Sequence, residues 1–104
     1  VGILPGNNTN NMSEAVDIAI VTDMGNARNN INVLSTDVLI ACGMGAGTAS
    51  EVALALKNNR KIILLNYTKE SKDFFITLSR KNIFFADTPE SAIETVKGIV
   101  NNTR

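Results

Sequence analysis

The sequence predicts an α/β fold, an open parallel sheet with helices on both faces, making three layers. Three observations predict it. Five apolar segments of strand length, residues 1–4, 18–21, 38–42, 62–65 and 83–86, alternate with stretches of helical periodicity. Three of those segments (VLIAC, IILL and IFFA) are continuous apolar runs, as strands buried on both faces are. A glycine-rich turn leads from one of them straight into a helix.

Each element has its own local reason. The first strand, residues 1–4, stops at the rigid turn Leu4-Pro5-Gly6, and residues 7–11 form a polar loop without periodicity. The second strand, 18–21, leads through Asp23 and Met24-Gly25-Asn26 into a short helix, 27–35, with Ala27, Ile31 and Leu34 on one side. The third strand, 38–42, runs into Gly43 to Thr48 and a helix over 48–58 whose broad apolar face holds Val52, Leu54, Ala55 and Leu56. Asn58-Asn59 suits that helix's end. The fourth strand is followed by a helix capped by Thr68 and running to Ser79. After the fifth strand, Thr88 caps a last helix with Pro89 at its first position, burying Ala92, Ile93, Val96 and Val100. Phe74-Phe75 and Phe84-Phe85 read as packing residues. Residues 1–104 thus form a single Rossmann-like α/β domain, with no internal repeat and no linker.

Composition narrows the function. Ten basic residues balance ten acidic ones, which argues against the clustered basic surface of a nucleic-acid binder. No apolar run is long enough to cross a membrane. The absence of histidine removes Ser-His-Asp and Cys-His catalysis and the commonest metal ligand, so no metal site is expected. A single cysteine, Cys42, allows no internal disulfide and leaves the cytoplasm as the default compartment. At the end of a buried strand it reads as a core residue. The chain opens on Val1, directly on a strand, which reads as a missing N-terminal segment.

In parallel sheets ligands bind beyond the carboxyl ends of the strands, so the loops after Leu4, Val21 and Cys42 should line a site. The third, Gly43-Met44-Gly45-Ala46-Gly47-Thr48, lets the backbone turn sharply and aim N–H groups at an anion. The helix behind it adds unpaired donors and partial positive charge. This suits a phosphate without a lysine. No Gly-Lys-Ser/Thr follows, so it is no Walker A loop. Ser50 stands where a dinucleotide fingerprint has its third glycine, and the next strand ends at Asn66 rather than an acidic residue. Thr48 and Glu51 fit a capping box as well as a ligand role. Arg28, in the first turn of its helix, opposes the macrodipole and calls for compensation by Asp23, Glu51 or a bound phosphate.

The segment Gly43 to Glu51 resembles the PGGxGTxxE signature of the Lonely-Guy-like superfamily, long misnamed lysine decarboxylases. Met24-Gly25-Asn26-Ala27-Arg28-Asn29 sits where that superfamily has Met-His-x-Arg-Lys. The wider pattern of ILPG, DIAI, GxARN and GTxSEVALAL is similar to the molybdenum cofactor carrier branch, particularly its cyanobacterial members. Met44 departs from the family's middle glycine, and Asn29 from its lysine. Family members also begin with two further strand–helix units, which implies that residues 1–104 are the C-terminal two-thirds of a larger domain.

The resemblance implies a carrier that stores and protects molybdenum cofactor (molybdopterin), a pterin with a phosphate tail and a dithiolene-bound metal. The glycine loop and helix end (Gly43, Met44, Gly45, Ala46, Gly47, Thr48, Glu51) would take the phosphate or another anion. Arg28 and Asn29 would help hold the charged end, the pterin would lie across Pro5 and Gly6, and Met24 and Gly25 would also belong to the cofactor-binding site. It further implies a homodimer or homotetramer and molybdoenzyme recipients. The alternative is a nucleoside 5′-monophosphate phosphoribohydrolase of cytokinin-activating type, with Arg28 and Glu51 as its catalytic pair.

Overall fold

The computed structural model describes residues 1–103. In chain order it contains β1 (Gly2–Leu4), β2 (Ala19–Val21), a 3-10 turn (Gly25–Ala27) leading into α1 (Arg28–Leu34), then β3 (Val38–Cys42) and α2 (Ala46–Lys57). β4 (Lys61–Leu65), α3 (Lys69–Ile76), β5 (Ile83–Ala86) and α4 (Pro89–Thr103) complete it. All five expected strands form, and their pairings are parallel.

The strands divide into two sheets, β1-β2 and β3-β4-β5. Val38 to Cys42 lie in register with Lys61 to Leu65, and Ile62 to Leu65 with Ile83 to Ala86. Between the sheets, α1 packs on both β1 and α2 and is the principal connection.

The larger sheet is a three-layer sandwich because β4 is apolar on both faces. Successive strand side chains point to opposite faces. Ile62 and Leu64 join Val33 of α1, Val52, Ala55 and Leu56 of α2, and Phe75 of α3 in one cluster. Ile63 and Leu65 join Ala86 of β5 and Ala92 of α4 in the other. Ile62, Ile63 and Leu64 are almost fully buried, each contributing about 1.5–3 kcal/mol of burial.

The helix ends follow from local chemistry. Thr68 accepts a bond from the Ser71 N–H, and Thr88 from the Ser91 N–H, as N-caps do. At the end of α2, Asn59 adopts φ 57°, its N–H bonds to Leu56 and the Arg60 N–H reaches back to Ala55. That is a Schellman closure with asparagine in the glycine role. α3 stops at Ile76, short of the expected Ser79, because the Thr77 and Leu78 N–H groups tighten onto Phe74 and Phe75. α4 extends three residues past Val100. Three expected packing residues are largely solvent-exposed: Phe74 at 59%, Ile93 at 47% and Phe85 at 40%. Lys72 lies over the Phe85 ring, 5.2 Å from its centre.

No described helix is long and apolar enough to cross a membrane.

Candidate functional site

The loops after β1 and β2 are stitched together by their backbones. The Thr22 N–H and hydroxyl both donate to the Leu4 carbonyl, the latter at 2.6 Å. The Asp23 N–H donates to the Gly6 carbonyl at 2.8 Å, and the Gly25 N–H to Pro5 at 2.9 Å. Asp23 (φ 50°) and Gly25 (φ 56°) are both left-handed, which turns the chain sharply enough to make these bonds. Pro5, Gly6, Met24 and Gly25 are therefore brought together, as the strand-end argument expects.

The glycine loop is open. Gly43 adopts φ 77°, a conformation suited to glycine, where β3 leaves the sheet. Gly45 is extended and serves as the N-cap of α2, without a side-chain bond. A Cβ placed at Gly43, Gly45 or Gly47 would meet nothing within 4 Å, so these glycines are not packed against the protein. The first intrahelical bond runs from the Ala49 N–H to Gly45. The N–H groups of Ala46, Gly47 and Thr48 precede it in the first turn, where a helix leaves its donors unpaired. Met44, half exposed, stands beside them.

α1 joins the two halves of the site. Arg28 donates through Nη1 to the Ile3 carbonyl at 2.7 Å, leaving further guanidinium N–H groups. It bonds to neither Asp23 nor Glu51, so the compensation by a carboxylate that the sequence suggests is supplied by a backbone carbonyl. Asn29, buried at 6% exposure, donates to the Ser50 hydroxyl at 2.9 Å and the Gly47 carbonyl at 3.5 Å. Its side chain thus braces the glycine loop. Asn32 donates to Glu51 Oε2 at 3.4 Å.

The capping box of Thr48 and Glu51 does not form. Helix α2 begins at Ala46, so Thr48 already lies inside the first turn and Glu51 beyond it. Cys42 also departs from expectation: Ala41 takes the buried position at the end of β3 and Cys42 is exposed.

Two of the cavities around α1 and the end of β3 hold most of the expected site residues. The larger, about 620 Å³, is walled by residues 1–6, Met12, Val16, Arg28 and Asn32. The smaller, about 120 Å³, lies among Leu39 to Cys42 of β3, Ile62 of β4, and Thr48 and Glu51 of α2. Arg28 and Pro5-Gly6 line the first and Thr48 and Glu51 the second, and a third cavity of about 380 Å³ is lined by Ile3 and Asn32 together with Glu51. Tyr67 was not singled out by the sequence. It is buried, and burial pushes its phenol up from its ordinary value, with Cys42 and Glu51 adding to the effect. Asn32 escaped notice too, one asparagine among many. Among the described residues no group of three or more thiols and carboxylates is placed to hold a metal ion.

Parallel strands joined through helices, with an open glycine loop at a helix N-terminus, define an α/β protein of Rossmann-like type. Residues 1–93 match the SLOG cluster4 family, and the chain belongs to it. It is similar to the molybdenum cofactor binding protein of the phototrophic bacterium Rippkaea orientalis, at 61% identity and a TM-score of 0.91 over 95% of this chain and 61% of that one. The molybdenum cofactor carrier protein of Chlamydomonas reinhardtii is 48% identical, with a TM-score of 0.88 over 96% of this chain and 61% of that one. An uncharacterized protein of Archaeoglobus fulgidus is 40% identical over 81 residues, 78% of this chain and 48% of its own length. The chain thus spans about half the length of that archaeal relative and 61% of the two solved structures.

Proposed function

We propose that this chain carries the binding site of a molybdenum cofactor carrier, which stores and protects the cofactor until a recipient enzyme takes it. The likeness to the molybdenum cofactor binding protein of Rippkaea orientalis, at 61% identity, carries the reading. The chemistry of the donors supports it. Unpaired first-turn amides and a guanidinium favour a phosphate. The metal arrives held by the cofactor's own sulfurs, so the protein needs no metal ligands.

In this reading the amides of Ala46, Gly47 and Thr48 receive the phosphate, with Gly43, Met44 and Gly45 shaping the approach. Arg28 reaches the charged end through the donors left after its bond to Ile3. Asn29 keeps the loop in its receptive form. Pro5 and Gly6 line the larger recess, which suits a flat pterin in size, and the Met24-Gly25 turn backs them through the Gly25 N–H bond to Pro5. The carrier works in the cytoplasm as a homodimer or homotetramer and passes its cargo to molybdoenzymes.

The test uses the full-length protein, incubated with freshly released cofactor, desalted and assayed for bound molybdenum. It should retain the cofactor and reconstitute a molybdenum-free apoenzyme. Arg28→Ala should lower retention on the order of tenfold or more, the scale of one charge-assisted hydrogen bond. Failure to retain any molybdenum, or release of free base from AMP with loss of that activity in Glu51→Gln, would favour the phosphoribohydrolase instead.

A further inference from the structure

Tyr67 presents a buried hydroxyl for which no described residue supplies a hydrogen-bond partner. Only 7% of the residue is exposed, and its ring packs in the core beside Phe75, 6.4 Å between ring centres. A shielded, unpaired hydroxyl carries an uncompensated desolvation cost. Phenylalanine would fill the same volume without it. Packing therefore does not account for the oxygen.

Its position does. Leu65 is in register with Cys42 at the carboxyl end of β3, and Tyr67 follows two residues later, at the sheet edge from which the glycine loop departs. Val52 and Ala55, which share the core cluster with its ring, lie on α2 just past Glu51. The ionisable groups acting on the phenol are Cys42 and Glu51, and both line the 120 Å³ cavity at the end of β3, of whose wall Tyr67 itself is not a part. Both become negative on ionising, so they favour the neutral phenol, which is a donor. At roughly 30 Å³ for a water, the cavity has room for a phosphate or the edge of a ring, not for a whole pterin.

We infer that Tyr67 is a further ligand-binding residue, its hydroxyl donating to an acceptor oxygen of the molecule held over the glycine loop and completing a bond the free protein leaves unmade. The inference rests on the carrier reading and assigns that site a neutral donor opposite its backbone amides. The acceptor is a phosphate oxygen or a ring carbonyl.

Tyr67→Phe in the full-length protein separates the outcomes. Ligand-free, the variant should melt several degrees higher than wild type, since the unpaired hydroxyl is gone. It should retain cofactor on the order of tenfold less well, the loss of one hydrogen bond to a ligand. If inorganic phosphate then stabilises the variant less than wild type, the acceptor is the phosphate; if the phosphate effect is equal, it is the ring carbonyl. A lower melting point in the variant, or equal cofactor retention by both proteins, overturns the inference alone. A wild-type protein that retains no cofactor overturns the carrier reading, and this inference with it.

Discussion

At the scale of single residues, the absence of a side chain matters as much as its presence. Gly45 and Gly47 border open space, where no packing contact demands glycine, whereas Gly43 is needed for its left-handed φ of 77°. Asn29 acts oppositely: a buried amide committed to the loop's own carbonyl and hydroxyl. Tyr67 makes stability depend on alkaline pH. Its phenol is held above the ordinary value of 10.0. The folded chain therefore keeps a proton that the unfolded chain loses, and stability falls as pH rises past that ordinary value. Urea midpoints measured at neutral and alkaline pH should show this slope, and Tyr67→Phe should flatten it; an unchanged slope in the variant would assign it to other groups. The glycines, Arg28 and Glu51 were legible because their types and spacing carry meaning by themselves. Tyr67 was not, since its interest arises from an unpaired oxygen deep in the fold, which no linear pattern reports.

At the scale of elements, alternating apolar runs and capping residues located the strands and helices well. Thr68, Thr88 with Pro89, and Asn58-Asn59 each end or begin a helix where their chemistry says they should. The start of α2 was misjudged because Thr-x-x-Glu imitates a capping box. An extended Gly45 lets the helix begin two residues sooner, and the true cap has no side chain to read. The three-residue strands β1 and β2 were legible as apolar segments, but their pairing apart from the others was not. Thr68→Ala gives a direct check on cap chemistry. It should cost about 1 kcal/mol. For a chain of this size that lowers the melting temperature by roughly 4–8 °C. A change below one degree would mean that packing of Phe75, rather than the cap, sets the start of α3.

At the scale of the whole molecule, the division of the sheet sets where stability resides. β4 is hydrogen-bonded on both sides and covered on both faces, whereas β2 exposes Ile20 and Val21, and Ile18 just before it, by 42% to 60%. The radius of gyration, 14.2 Å, exceeds the roughly 13 Å of a compact domain of this length, in keeping with two sheets side by side. Hydrogen exchange should follow that division. Amides of Ile63 and Leu64 should be among the slowest to exchange, and those of Ile3 and Ile20 faster by about a hundredfold or more, matching local openings some 3 kcal/mol easier. Uniform protection across all five strands would show that the molecule opens as a single unit.

Adjacent residues on α1 hold on to different halves of the molecule: Arg28 grips the floor of the small sheet, and Asn29 grips the loop on the large one. A tilt of one half against the other is thereby transmitted, through a single turn of helix, to the first-turn amides of α2. Grip and leverage share one short piece of backbone, so a load on the small sheet has a mechanical path to the glycine loop of the large one.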